Sequence, residues 1–285
     1  MTLDAASFDR PRSHRLADLT WPEVRRRRAE APVAIVPLGA CEQHGTGLAL
    51  RTDTTRAEVV ADLIAERLSP RVLISPVIPV GVSEHHMGFP GTLTLTAETL
   101  GHVIDDLLTS LYRHGWRRIF ILTGHGGNNS AVDISVRRLR ARHTDLHLAW
   151  SGITNVASDV VARLATSPVR GHSCEIETSQ ALFADPTLVR PDQLIRGAAT
   201  VHDLDPAGRL SQTHKGIHFP QDYHVLSPTG ALGDGREASV EDGEAVITTV
   251  VDRVVAFLED FMALPDRAHL PTPTLADSDP LTLEA

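Results

Sequence analysis

The stretch that decides the fold is residues 33–45, VAIVPLGACEQHG, in which a short apolar run, Val33–Leu38, is followed by glycine and polar residues. An apolar run that ends at a glycine is typical of a buried strand. Along the rest of the chain, short continuous apolar runs alternate with segments in which apolar residues recur at the spacing of a helix. The predicted strands are 72–78, 118–122 and 146–150, and the predicted helices are 21–29, 54–68, 96–112, 129–142 and 240–261. This alternation predicts an α/β fold with a mainly parallel sheet covered by helices on both faces.

The composition indicates one globular domain without a nucleic-acid or membrane partner. The 285 residues include 27 Lys and Arg against 36 Asp and Glu, which gives a net charge of −9. This balance argues against general nucleic-acid binding, and no apolar run is long enough to span a membrane. The start lacks the apolar core of a secretory signal, which predicts a cytoplasmic location. We predict a flexible start (1–15), one domain (16–264) with an irregular segment (187–235) over its core, and a disordered tail (265–285).

Polar residues gather where the first and third predicted strands end. Glu42, His44 and Asp53 follow the first strand, and His125 lies in the sequence TGHGGNN after the third. Ligands of open α/β sheets bind at the carboxyl ends of the strands, and a carboxylate close to an imidazole is typical of a divalent-metal site. The alternative is a set of local hydrogen bonds within the loops. The glycine-rich loop lacks the order of glycines that a nucleotide site requires.

Two further clusters combine histidine with acidic residues. They are GVSEHHMGFPGT at residues 81–92 and HSCEIETS at residues 172–179. Four such clusters together favour a metal-assisted hydrolase, whereas the H-E-x-x-H and G-x-S-x-G motifs of other hydrolases are absent. A cysteine nucleophile is disfavoured, because the acidic neighbours of Cys41 and Cys174 would raise the pKa of a thiol.

These motifs resemble those of the creatininase (creatinine amidohydrolase) family. The stretches that carry the resemblance are PLGACEQHGTGLALRTD (37–53), GVSEHHMGFPGT (81–92), TGHGGN (123–128) and HSCEIETS (172–179). The resemblance covers residues 16–262. It implies a three-layer α/β/α sandwich, two divalent metal ions per chain, hydrolysis of an amide-type C–N bond and assembly into a homohexamer.

The resemblance also implies roles for individual residues. Glu42 and His125 would hold one metal, His44 would hold the other, and Asp53 would bridge the two. His172 would transfer a proton. The substrate pocket would include His85, Glu84 and Cys174.

Gly127 stands where creatininases carry a metal-binding glutamate, so a further carboxylate is needed as the fifth ligand. If residues 172–180 are helical, Glu175 shares a face with His172. The family motif instead favours Glu177, which we predict as the ligand and as part of the catalytic machinery. The ligand set suits Zn, Mn or Fe.

The resulting hypothesis is a metal-dependent amidohydrolase. Two metals would lower the pKa of a shared water, and the hydroxide formed would attack the carbonyl of a small cyclic or formyl amide. The alternatives are a peptide-processing metallopeptidase on the same scaffold and a non-enzymatic metal-binding protein. A closed lid over the pocket, formed by residues 187–235, would favour a small amide, and a pocket open at one end would favour a peptide.

Overall fold

A computed structural model describes residues 13–214, 217 and 219–266 of the chain. Most of the predicted flexible start and nearly all of the predicted tail lie outside these residues. The last residue of the predicted flexible start, Arg15, lies against helix α2 (Thr52–Leu68), where its Nε is 3.0 Å from Asp62 Oδ1. No helix in the described residues is long and apolar enough to cross a bilayer.

The sheet has four parallel strands in the order β2-β1-β3-β4. They are β1 (Val33–Leu38), β2 (Val72–Ile74), β3 (Arg118–Thr123) and β4 (His147–Gly152). The prediction of a strand over 72–78 is wrong beyond Ile74, because the segment carries one extra residue there: the Ser75 N–H still donates to Ile35 O, but the next bond to β1 comes from Ile78 and not from Val77. Pairing returns for a single bridge, in which the Ile78 N–H donates to Pro37 O at 3.1 Å.

Helices cover both faces of this sheet, as predicted. Besides α2 they are α1 (Trp21–Glu30), α3 (Ala97–Arg113), α4 (Asn129–Arg142), α5 (Ile153–Val156), α6 (Ser158–Leu164), α7 (Glu175–Ala184), α8 (Pro206–Thr213), α9 (Tyr223–Leu226) and α10 (Val240–Ala263). Successive side chains of a strand point to opposite faces. Accordingly, Val33 and Ile35 pack with α2 and α10, and Ala34 and Val36 pack with α3 and α4. The fold is therefore a three-layer α/β/α sandwich.

The carboxyl ends of the two central strands position the polar clusters. Strands β1 and β3 are neighbours with Leu38 opposite Thr123, so the segments that leave them start side by side. The first turn of α2 returns to the same edge, where Gly39 lies so close to Thr54 that a Cβ would overlap the Thr54 backbone. This close approach places Asp53 beside the residues that follow β1.

Candidate metal centre

The predicted ligands Glu42, His44, Asp53 and His125 meet at this edge of the sheet, and all four are buried. Asp53 lies between the two imidazoles. Its Oδ1 is 3.3 Å from His44 Nε2, and its Oδ2 is 3.2 Å from His125 Nδ1. Glu42 Oε1 is also 3.2 Å from His125 Nδ1. The structure thus places one oxygen of Asp53 toward each histidine, which is the arrangement of a bridging carboxylate.

Hydrogen bonds from the protein orient these side chains. His44 Nδ1 lies 3.1 Å from the Glu42 carbonyl oxygen, and His125 Nε2 lies 2.8 Å from Val82 O. Each backbone carbonyl accepts from an imidazole N–H, so the other ring nitrogen is directed at the carboxylates. The Ser83 hydroxyl donates to Glu42 Oε2 at 2.6 Å, which leaves Oε1 of that carboxylate facing the centre.

Three buried atoms at the centre form no hydrogen bond, although each lies 3.2–3.3 Å from an ionisable neighbour: Glu42 Oε1, His44 Nε2 and Asp53 Oδ2. Ligand atoms of these three residues lie within 4.8 Å of one another. Leaving polar atoms buried and unpaired is costly, and native structures rarely do it. A divalent cation among these atoms would satisfy all three, so the donor set fits a metal.

The charges of the cluster are strongly coupled. Burial alone would lower the pKa of His44, but the Asp53 and Glu177 carboxylates raise it to about 9. Burial likewise acts to lower the pKa of His125, and Glu42 and Asp53 carry it well above its usual value. Burial would raise the pKa of Asp53, but His44 and His125 hold it well below the usual range. In the absence of a cation these shifts therefore keep protons on His44 and His125 and negative charge on Asp53.

Glu177, and not Glu175, joins this cluster. Helix α7 begins only at Glu175, and the preceding Ser173 has a positive φ of 52°, so residues 172–174 are not helical. Glu177 Oε2 lies 3.8 Å from His44 Nε2. Glu175 points elsewhere and accepts hydrogen bonds from the backbone N–H groups of Thr166 and Ser167 at 3.0 and 2.8 Å.

His172 lies beside the predicted ligands. Its Nε2 lies 2.7 Å from the Gln43 backbone carbonyl oxygen, to which it can donate, and 3.1 Å from the Gln43 side-chain nitrogen. Its Nδ1 faces Glu42 Oε1 and Glu177 Oε2, each at 3.8 Å. Burial, assisted by His44, lowers the pKa of His172. A neutral ring with a free Nδ1 can accept a proton at the centre.

Of the predicted pocket residues, only His85 lines the cavity at the centre. The cavity measures about 170 Å³ and also exposes the glycine loop, Gly124–Gly127, together with His86 and Tyr223. Glu84 is exposed and does not line it. Cys174 packs in the apolar core beneath, where burial raises the pKa of its thiol to about 11. The structure brings neither Glu84 nor Cys174 to the pocket.

His86 is a site residue that the sequence interpretation missed. Its Nε2 lies 3.5 Å from Glu42 Oε1, and its Nδ1 accepts from the Gln43 amide at 2.7 Å. The Tyr223 ring packs against it at a tilt of 37°, with centroids 4.1 Å apart. The resemblance to creatininases contained the signal, because it implies the spacing E-H-x-x-F-P in this motif: counting back from Phe89 places the motif histidine at 86 and not at 85.

Arg56 was also missed, and no motif indicates it. It lies on α2 one turn after Asp53, and its guanidinium contacts both Asp53 Oδ1, at 3.2 Å, and Glu177 Oε1, at 2.6 Å. Burial would raise the pKa of Glu177, but Arg56 and then His44 lower it.

Comparisons with known proteins show which family this chain resembles. The chain is 32% identical over 255 residues to a mycofactocin precursor peptide peptidase of Mycobacterium ulcerans (strain Agy99), covering 87% of this chain and 88% of the relative. It is 29% identical over 267 residues to the creatinine amidohydrolase of Pseudomonas putida, covering 86% and 96%. A solved structure described as "Creatininase Mn" superposes with a TM-score of 0.72 at 27% identity, covering 88% of this chain and 99% of that one.

The family model for creatininase, described as creatinine amidohydrolase, matches residues 17–258, which include every predicted metal ligand. This chain therefore belongs to the creatininase family of hydrolases that act on carbon–nitrogen bonds.

Proposed function

We propose that this amidohydrolase holds two divalent cations and uses them to hydrolyse the C–N bond of a small amide. The observation that carries the proposal is the set of buried, unpartnered atoms Glu42 Oε1, His44 Nε2 and Asp53 Oδ2. Carboxylate oxygens and imidazole nitrogens without a thiolate suit Zn, Mn or Fe. The manganese in the description of a related creatininase structure supports a divalent ion of this class.

Five residues share the two cations in this proposal. Glu42 and His125 would hold one cation, His44 and Glu177 would hold the other, and Asp53 would contribute to both. The position of Asp53, 3.2–3.3 Å from a nitrogen of each histidine, supports the division. Two cations at such a centre would lower the pKa of a shared water toward neutrality and polarise an amide carbonyl.

His172 transfers a proton from the attacking water to the departing nitrogen. The Gln43 carbonyl holds the Nε2–H of the ring at 2.7 Å, so Nδ1 stays free on the side of the centre. This nitrogen takes the proton that water releases and returns it to the departing nitrogen, which cannot leave as an amide anion. Because Glu42 and Glu177 flank Nδ1 at 3.8 Å, the protonated ring is stabilised between two carboxylates.

The size of the cavity supports a small substrate. Its volume of about 170 Å³ is below the range typical of drug-sized ligands, about 300–1,000 Å³. Tyr223, from the segment predicted to lie over the core, narrows it: its ring centroid is 4.1 Å from that of His86 and 4.9 Å from that of His172. These dimensions favour a compact cyclic or formyl amide.

A second candidate is the trimming of a peptide. Two observations favour it: the relative named as a mycofactocin precursor peptide peptidase, and the exposed position of Gly126 and Gly171 at the rim of the cavity. An exposed glycine rim leaves space for a chain that continues beyond the scissile bond.

One experiment tests the function and separates the two candidates. The metal content of the purified protein is measured, and the protein is assayed with cyclic amides, formyl amides and short peptides, with and without a chelator. We expect two metal equivalents per chain and chelator-sensitive cleavage of the small amides. Cleavage of peptides alone would favour the second candidate, and metal-free cleavage would overturn the metal mechanism.

A further inference from the structure

The guanidinium of Arg56 is a buried cation beside the metal centre that belongs to none of the expected ligand positions. Only 1% of Arg56 is exposed. Besides Asp53 and Glu177 it donates to Gln180 Oε1 at 2.9 Å and to Thr154 Oγ1 at 3.2 Å. A buried guanidinium is costly unless it is paired. Both terminal nitrogens of Arg56 have two partners each, whereas its Nε forms no hydrogen bond.

Arg56 determines which oxygen of Glu177 faces the centre. Its Nη1 engages Oε1 of Glu177 at 2.6 Å. The other oxygen, Oε2, accepts from the Ser173 backbone N–H at 2.6 Å and lies 3.8 Å from His44 Nε2. Glu177 is thereby fixed with a single oxygen directed toward His44.

The same guanidinium favours one side of Asp53. It contacts Oδ1, the oxygen that faces His44, whereas Oδ2 faces His125. The positive charge of Arg56 is therefore shared by the two carboxylates on the His44 side, and no hydrogen bond joins it to Glu42.

We infer that Arg56 is a positioning residue that acts as the resident counter-cation of the centre: it stabilises the metal-free state and weakens the binding of the cation on the His44 side. This inference rests on the metal centre proposed above. Without metal, the guanidinium adds a permanent positive charge between Asp53 and Glu177, which are buried close together. With metal bound, the same charge opposes the cation.

The two effects are linked thermodynamically. An interaction that stabilises the empty centre more than the loaded centre weakens metal binding by the same factor. Arginine cannot release its proton in a protein, so the repulsion is present at every working pH. The repulsion between a unit positive charge and a divalent cation a few ångströms away is large enough, even at the dielectric constant of water, to weaken the metal binding constant on the order of tenfold.

The test compares R56Q with R56K, which keeps the charge, and with R67Q. Arg67 is near the other end of α2, where it pairs with Asp252 at the surface, so R67Q is a matched control for losing an arginine ion pair on this helix. Zn²⁺ affinity is measured by competition with a chromophoric chelator, and the Tm is measured with excess chelator and with excess Zn²⁺.

For R56Q we expect the weaker of the two Zn²⁺ ions to bind about tenfold or more tightly than in the wild type. We also expect the Tm to fall more in chelator than in Zn²⁺. R56K and R67Q should keep wild-type Zn²⁺ affinity. An R56Q protein that folds only when Zn²⁺ is present would support the inference, because the cation then replaces the missing charge.

Several results would overturn the inference. Equal Tm losses with and without Zn²⁺ would show a purely structural role, and weaker Zn²⁺ binding by R56Q would show that orientation outweighs repulsion. Failure of R56Q to fold even with Zn²⁺ would also count against it. If the wild type itself takes up no Zn²⁺, the proposed metal centre fails, whereas wild-type uptake with unchanged R56Q affinity overturns this inference alone.

Discussion

Glu177→Gln and Glu175→Gln form a matched pair that separates a metal ligand from a structural carboxylate. Both residues lie in the first turn of α7, and both changes keep the shape of the side chain while removing its charge. We expect Glu177→Gln to lose one metal equivalent per chain and Glu175→Gln to keep both.

The magnitudes follow from the contacts of each side chain. Glu177 directs Oε2 toward His44 at 3.8 Å, and its neutral amide would remove an anionic ligand. The loss in metal affinity should exceed the 10–100-fold that is typical of losing an outer-sphere partner. Glu175 instead accepts from four donors, of which the closest is the Ser167 N–H at 2.8 Å.

In Glu175→Gln, the new amide group cannot accept from the Asp234 N–H, which donates to Oε2 in the wild type. Losing one hydrogen bond to a buried carboxylate costs about 2 kcal/mol. In a domain of this size that corresponds to a Tm about 4–8 °C lower. Glu175→Gln should therefore unfold at a lower temperature than the wild type while keeping the full metal content.

The assay is metal analysis by mass spectrometry after loading with Zn²⁺ and desalting, with thermal unfolding measured on the same samples. The wild type, with the proposed two equivalents, is the reference. The reasoning would be refuted if Glu175→Gln lost the metal equivalent while Glu177→Gln retained it.

Four further predictions concern the same centre and the assembly. Asp53→Ala should lose both metal equivalents and all hydrolysis, and full metal loading in this variant would contradict the bridging role. His172→Gln should lower kcat while metal content stays at the wild-type value; loss of a metal equivalent would make His172 a ligand. In chelator, the folded-state pKa of His44, about 9, exceeds its ordinary 6.5, so its stabilisation is complete below about pH 6.5 and is lost as the pH rises through 9. The chelated protein should then melt at a lower temperature at about pH 9.5 than at about pH 7, and an unchanged Tm would refute the coupling. The family resemblance predicts a homohexamer, so light scattering should give about six times the chain mass, and a monomer would contradict it.

The alternation of apolar runs was sufficient to predict the layers, because the runs that form β1, β2 and β3 are almost wholly buried on both faces and each connection contains a helix. It failed at residues 75–78, where apolar residues continue after Ser75 but one extra residue interrupts the ladder to β1. Apolarity reports burial, whereas strand pairing also requires that each N–H stay opposite its acceptor on the neighbouring strand.

The site was predictable where one local motif determines both which residues belong to it and where their side chains point, as for Glu42 and His44 at the end of β1. The choice between His85 and His86 needed the fixed spacing to Phe89 as well. The role of Arg56 could not be predicted from the sequence, because it depends on Glu177, which is 121 positions away along the chain. Tyr223 likewise reaches the cavity from a short helix inside a segment without periodicity.

The tight packing at Gly127 limits how this centre can be altered. A Cβ at position 127 would overlap both Val82 O and His125 Nε2, the two atoms whose hydrogen bond orients that histidine. Introducing a glutamate there, in imitation of the ligand that creatininases carry, would displace one ligand while adding another. A route from this centre to a creatininase-type centre, in evolution or in the laboratory, must therefore begin with the 82–83 loop and not with the ligand itself.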